Sequence, residues 1–466
     1  MKKLSFFVLF LSLNSVWAQE KRLTLDEYLS LIKSYHPVAL QAGIGVDRAF
    51  YLRREALGAF DPKLELAQEK KVFNGTNYYD YLIPQVKLPL WYGIDLKGSY
   101  TTYSGNFVNP ENRVPEAGLG FVGLSVPLGS GLIIDERRAA LKQASLFQNM
   151  AANEQQQILN QLFVDATGAY VKWLNNWLNT EIYREAVALA KQRAEGVKLL
   201  FNNGDLPAID TLEALILLQS RQQKLIDYET KLITSKNDLA SYLWLENAIP
   251  VDPKLLNISP DPQVLSLNLP DGLLNEEPSI IADLNPEVKN YGIKVQQLEV
   301  ERRLKLDQIK PSLNVNLGLL NSGRNIFNNM NPAWLQNNQK FGFTFSMPLT
   351  FTKQRASYSL AKLKLKDAEY AFLDKRNLTA IKWENYKNDL QNLDNQIKLY
   401  RGMEENSSSL LKGEEIKFSA GESSLFLVNS REQKLLEVRE KTNEISAKRI
   451  EVIQNLKWIA NLMGVE

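Results

Sequence analysis

The chain of 466 residues contains no cysteine and a single histidine, His36, which excludes disulfides, thiolate metal sites, cysteine nucleophiles and multi-histidine metal centres. Hydrophobic residues make up 44% and charged residues 23%, the composition of a folded protein, and at roughly 100 to 200 residues per domain the length suggests about three domains. The formal charge of +2 includes Lys2 and Lys3; without them the 55 basic residues fall to 53 and match the 53 acidic ones, a balance that argues against nucleic acid or acidic lipid as the main partner.

At the N-terminus Lys2 and Lys3 precede the apolar run Leu4 to Leu13, and Val16-Trp17-Ala18 precedes Gln19. A basic start, a short apolar stretch and a small residue at the cleavage position predict a signal peptide over 1–18. No cysteine follows for lipid attachment, and no later stretch is apolar and long enough for a membrane helix, since ~20 residues are needed to span a bilayer. An exported chain of this kind is either soluble or a β-barrel.

The first helix is announced by Thr24 and Glu27, a capping pair that satisfies the free amides of the first turn. Val86 to Tyr92 and Gly118 to Leu128 read as strands, with Tyr100 and Tyr103 nearby. From Ala139 to Asn203 there is no proline, enough for a helix of ~100 Å. After Gly204, Leu218, Leu225, Leu232 and Leu239 recur every seven residues, the mark of helices packed as in a coiled coil. The segment 247–284 carries six prolines and predicts a connector with little regular structure.

The same order then returns. Asn285-Pro286-Glu287 opens a helix, Leu313 to Leu317 and Phe341 to Met347 alternate as strands, 356–420 is again free of proline, and after Gly421 the residues Val438, Ile445, Val452 and Ile459 repeat the sevenfold spacing. At an offset of 249, Pro37/Pro286, Gly43/Gly292, Arg53/Arg302, Arg54/Arg303 and Pro62/Pro311 coincide; at 217, Arg138/Arg355, Ala144/Ala361, Gly204/Gly421 and Leu239/Leu456 do. The chain is thus a tandem duplication. The two offsets differ by 32, which locates extra residues of the first repeat between Pro62 and Arg138. They are expected to form an enlarged loop with its outer end at 106–116.

This order of elements, together with Asn285-Pro286-Glu287, the paired Ser125-Val126-Pro127-Leu128 and Ser346-Met347-Pro348-Leu349, Arg137 to Leu141, Gly204 to Leu212, Gly421 to Asn429 and Leu456 to Gly464, resembles the TolC-like outer-membrane efflux proteins. The expected organisation is a signal peptide (1–18), a first repeat (19–246, insert 62–130, helix pair 139–246), a Pro-rich connector (247–284) and a second repeat (285–466, hairpin 311–350, helix pair 356–463). The fold class is an α+β membrane protein. Helices flanking each repeat must lie on one side of the membrane, so each repeat contributes an even number of strand crossings, most simply two. Four strands cannot close, and the resemblance implies a homotrimer with a shared 12-stranded barrel and a periplasmic α-helical tunnel. Trp91, Tyr92, Tyr100, Tyr103, Phe341, Phe343 and Phe345 are candidates for its lipid face or aromatic girdle.

The resemblance further implies a passive exit duct in the bacterial outer membrane, joined through a periplasmic adaptor to an inner-membrane pump, with no enzymatic step and no cofactor. No phosphate loop, Gly-x-Ser-x-Gly or His-Glu-x-x-His occurs, and His36 reads as a structural residue. Asp205, Asp210 and Glu422, at the turns where the family closes its tunnel, are the gate and selectivity candidates; the position matching Asp210 is Leu427 in the second repeat. Gly204, Gly421, Ser423, Ser424, Leu425 and Phe426 are the adaptor-docking candidates. The competing expectation is a soluble periplasmic coiled-coil adaptor or scaffold without a barrel.

Overall fold

A computed structural model of the protein describes residues 21–107, 113–323 and 337–463. The expected signal peptide, the middle of the 106–116 loop and Gly464 lie outside them. In chain order the elements are β1 (Lys21–Leu23), α1 (Leu25–Tyr35), α2 (Pro37–Leu57), β2 (Lys63–Phe73), β3 (Thr76–Pro89), β4 (Asp95–Ser104), β5 (Leu119–Pro127), α3 (Glu136–Asn202), α4 (Ala208–Ala240), β6 (Trp244–Leu245), β7 (Ile249–Pro250), β8 (Ile258–Pro260), α5 (Pro278–Leu284), α6 (Pro286–Asp307), β9 (Ser312–Ser322), β10 (Gln339–Ser346), α7 (Thr352–Ser419) and α8 (Leu425–Ile459). The chain divides into a helical unit, made of residues up to Gly43, Gln155–Pro286 and those from Arg376 on, and a sheet unit, Ile44–Glu154 with Glu287–Lys375.

In the helical unit, Thr24 caps α1 with the expected reciprocal pair: its hydroxyl accepts the Glu27 amide at 3.2 Å and its own amide donates to the Glu27 carboxylate at 3.4 Å. The opening helix of the repeat is broken in two at His36, because a residue before proline is pushed out of the helical region and His36 sits at φ −68°, ψ 130°. The His36 ring then caps α2, its Nδ1 accepting the Val38 amide at 3.2 Å, and packs 6.0 Å from the rings of both Tyr242 and Trp244. Burial lowers its pKa and keeps the neutral acceptor in place. The same Xaa-Pro break separates α5 from α6 at Asn285, whose side-chain Nδ2 donates to the Ile459 carbonyl at 3.2 Å.

α3 and α7 run for 67 and 68 residues, about 100 Å each. One core gathers Tyr28, Ile32, Tyr170, Trp173, Leu239 and Ile450; another gathers Trp383, Leu390, Ile445, Ile453 and Leu456. The buried Tyr170 hydroxyl donates to the Leu23 carbonyl at 2.6 Å and accepts the Asp261 amide at 3.0 Å, and burial pushes its pKa up to about 12. All four members of the α8 stripe are buried, whereas on α4 only Leu239 is and Leu218, Leu225 and Leu232 are half-buried. The connector holds more structure than its prolines suggest: β8 pairs in parallel with β1, β6 pairs with β7, and α5 occupies 278–284.

The sheet unit corrects the strand count. One antiparallel sheet of six strands runs in the order β10-β9-β5-β4-β3-β2, four strands coming from the first repeat and two from the second. The 32 extra residues therefore build strands rather than an enlarged loop. Asn74 and Gly75 link β2 to β3, both at positive φ (48° and 73°), the two-residue primed turn that Asn-Gly favours because its twist matches that of the strands. Trp91 and Tyr92 are not part of a strand: β3 ends at Pro89, and Tyr92 turns the chain at φ 64°.

Residues opposite each other across the ladder share a face, and successive residues alternate. One face carries Leu64 and Leu66 of β2, Leu82, Val86 and Leu88 of β3, Leu96 and Tyr100 of β4, Val122, Leu124 and Val126 of β5, Leu313 to Leu319 at odd numbers on β9, and Phe341, Phe343 and Phe345 of β10. The other carries mostly polar residues, among them Glu65, Gln85, Lys87, Lys97, Ser99, Ser125, Asn314, Asn316 and Thr344, together with Tyr79, Tyr81, Ile83, Tyr103, Phe121 and Leu320. Both faces are open on the edge strands β2 and β10, and large apolar side chains stand among the exposed ones: Leu64 is 78% and Phe343 65% exposed.

Candidate functional site

The two helical hairpins of the helical unit end in the same turn. α3 finishes with Gly204 at φ 85°, the Gly204 amide donating to the Phe201 carbonyl and the Asp205 amide to that of Leu200, both at 2.9 Å. α7 finishes with Gly421 at φ 79°, its amide donating to Phe418 at 3.0 Å and that of Glu422 to Lys417 at 2.8 Å. This paired pattern satisfies the last helical carbonyls and requires a left-handed residue that glycine adopts without a Cβ penalty. The fixed spacing of the two glycines thus reports one turn used twice.

The side chains on the turns differ. Asp205 and Glu422 are exposed and Asp210, in the first turn of α4, is half-buried. Among the described residues none of the three carboxylates forms a side-chain hydrogen bond or ion pair, and none is joined to another. A carboxylate at a helix start is favoured by the free amides there, which fits Asp210. In the second turn Ser424 caps α8, accepting the Leu427 amide at 3.4 Å, and Ser423 donates to Glu414 at 2.5 Å. Leu425 does not present a docking surface in this chain: it is 2% exposed and packs with Val197, Ala214, Leu206 and Phe418, because it opens the buried face of α8. Phe426, at 66% exposure, does point outward, as do Ile209 and Leu212 on α4, which the sequence reading did not single out.

A polar cluster above the turns was also missed. Arg193 of α3 donates to Glu432 of α8 at 2.7 Å and to Asn429 at 3.3 Å, and lies 3.5 Å from Glu415 of α7. Asn429 in turn donates to Glu213 of α4 at 3.2 Å. Glu432 is only 4% exposed, so its charge is matched by Arg193 inside the packed helices. Further along, Arg221 donates to Gln433 while its Nε and Nη2 have no hydrogen-bond partner among the described residues. Tyr183 donates to Glu440 and stacks on Tyr228 at 5.2 Å; burial, then the Glu440 contact, raises the pKa of both phenols. The cluster bolts α3 and α4 to α8 through side chains far apart in sequence. The visible signal was Glu432, which interrupts the otherwise apolar series Leu425, Val428, Leu435, Leu436.

No helix of the described residues is long and apolar enough to cross a membrane, and no group of three metal-binding side chains occurs among them. The chain has the TolC-like outer-membrane factor fold. It superposes on VceC, an outer-membrane protein of Vibrio cholerae, with a TM-score of 0.63 at 14% identity over 95% of this chain and 97% of that one. The outer-membrane channel OprN gives 0.66 at 12% identity over 95% and 90%, and the CmeC outer-membrane channel of Campylobacter jejuni 0.64 at 13% over 96% and 90%. No protein-family model and no curated protein sequence matches the chain. At such identities the likeness is one of fold.

Proposed function

We propose that the protein is a passive exit duct of the bacterial outer membrane, a homotrimer whose sheets close into one barrel and whose helices form a periplasmic tunnel. Substrates reach it from an inner-membrane pump through a periplasmic adaptor, as in tripartite efflux or type I secretion. The observation that carries this reading is the exposed apolar face shared by all six strands, backed by a mostly polar one. That alternation is what a barrel wall in lipid requires, with side chains out to hydrocarbon and polar groups to a watery lumen. A water-soluble scaffold with the same sheet would expose Phe341, Phe343 and Phe345 to water and aggregate.

Within this reading the turns and the Arg193 cluster form the gate. Holding α3 and α4 against α8 keeps the tunnel end narrow, and the buried, half-paired Arg221 favours hydration and release once the cluster loosens. Threefold repetition turns Asp205, Asp210 and Glu422 into rings of unpaired carboxylates that attract cations. Phe426, Ile209 and Leu212 offer the adaptor an apolar landing at the tips. Fractionation of cells, followed by cross-linking and a heat-modifiability gel, tests the duct: a heat-sensitive trimer in the outer membrane is expected, and recovery as a soluble monomer refutes it. Unchanged ion selectivity in both Asp210→Ala and Glu422→Ala removes the ring from the account.

A further inference from the structure

We propose that each chain contributes six staves rather than four, so that the wall is an eighteen-stranded barrel in which β2 of one copy pairs with β10 of the next. This rests on the reading of the protein as a threefold outer-membrane duct. The internal repeat shows which strands are additional. β2 starts one residue after Pro62 and β9 one residue after Pro311, the aligned prolines, while β5 and β10 lead into the two Ser-x-Pro-Leu segments. β2 therefore corresponds to β9 and β5 to β10, and the hairpin β3–β4 is what the second repeat lacks.

A hairpin added outside the wall would leave β2 paired with β5. Instead β3 pairs with β2 from Lys63↔Lys87 to Phe73↔Thr76, and β4 pairs with β5 from Asp95↔Ser125 to Thr101↔Leu119. The hairpin is spliced between them. Its side chains also keep the register of the neighbouring staves, with Leu82, Val86 and Leu96 on the apolar face and Gln85, Lys87 and Ser99 on the other, where Tyr81 and Ile83 also lie. On β3 the apolar positions run from Leu88 to Leu82, about 20 Å along the strand at 3.4 Å per residue, or about 15 Å of wall height at a tilt of about 40°, which lies within the ~25 Å apolar band of outer-membrane barrels. Just beyond, the same face turns polar: Asp80 accepts from Gln68 at 3.0 Å and pairs with Lys70 at 3.3 Å.

The edges point to a second copy of this chain as the occupant. Among the described residues β2 and β10 each have a strand on one side only, and in hydrocarbon a row of unpaired backbone groups is not tolerated. Five successive antiparallel pairings leave β2 and β10 running in opposite directions, so cyclic closure adds one more antiparallel pair of the same kind. β2 suits that seam: Leu64 and Leu66 continue the apolar face, and Lys63, Glu65, Glu69 and Lys71 fall on the polar, lumenal side. An eighteen-stranded wall is wide enough for an open aqueous mouth.

The chain's lack of cysteine makes the test direct. Double variants joining Ala67→Cys to Gly342→Cys or to Thr344→Cys are oxidised in the outer membrane and run on denaturing gels; single cysteines at Leu82, Val86, Leu96, Gln85 and Ser99 are exposed to a charged maleimide in vesicles. The expected result is a covalent trimer from the double variants only, with Gln85→Cys and Ser99→Cys labelled roughly tenfold or more faster than the other three, because water is excluded from the lipid face. A monomeric protein with no covalent oligomer from any pair overturns the duct reading itself. A covalent trimer in which all five positions label alike overturns the eighteen-stranded wall and leaves the duct standing.

Discussion

Along α8, Val438, Ile445, Val452 and Ile459 recur every seven residues and all four are buried; along β10, Phe341, Phe343 and Phe345 recur every second residue and all three are exposed. Both segments carry a regular apolar stripe. On α8 the apolar stripe meets protein, with the polar Asn429, Glu432, Ser446 and Gln454 buried beside it. In the sheet unit the apolar side chains of β10 meet no covering element among the described residues. Periodicity thus sets which face is apolar, while the solvent outside that face decides whether it is covered. One chain carries both solutions, which is why its composition looks like that of an ordinary folded protein.

Substitutions at matched positions break or sharpen this contrast. The largest effect is expected where a big aromatic leaves a packed core: Trp383→Ala should lose about 3–5 kcal/mol of stability, while Phe343→Ala, whose ring is already uncovered, should change denaturant unfolding in detergent by less than about 1 kcal/mol. Next comes the choice of face. Leu317→Arg places a charge on the apolar side and should cost about 2–4 kcal/mol on insertion into vesicles, whereas Asn316→Arg, one residue away on the polar side, should cost close to nothing. Comparable losses from both would dissolve the distinction between the faces.

Smaller effects belong to the helical tips. Glu432→Ala leaves Arg193 without its buried partner and should cost about 1–3 kcal/mol, read as a lower unfolding midpoint together with larger channel conductance. Gly204→Ala and Gly421→Ala each force a Cβ into a left-handed turn and should cost about 1 kcal/mol. Smallest is a pH effect at His36. Burial lowers its folded pKa, so its contribution is complete above the unfolded value near 6.5 and is lost as pH falls from there through the folded pKa. Thermal melts of wild type between pH 7 and pH 5 should show this loss, and His36→Asn, which keeps a capping group without the charge, should flatten it.

Much of the helical unit was legible because its signals are local. The Thr24 capping pair, the prolines at 37 and 286, the glycines at 204 and 421 and the sevenfold stripe of α8 each act through neighbours in sequence. The strand count was not read correctly, although a local signal existed in Asn74-Gly75 between β2 and β3. Lys63, Glu65, Glu69, Lys70 and Lys71 make β2 read as a solvated segment rather than a strand. The tip cluster depends on residues such as Arg193 and Glu432, 239 positions apart, and only the fold brings them together. Leu425 failed as a surface residue for a related reason: its partners on α3 and α4 belong to the other repeat.

Recording from purified protein in a planar lipid bilayer tests the central claim most directly. The account predicts discrete conductance steps from wild type and larger steps from Glu432→Ala, whose gate has lost a buried ion pair. Protein that inserts as an oligomer yet passes no ions in either form would contradict it.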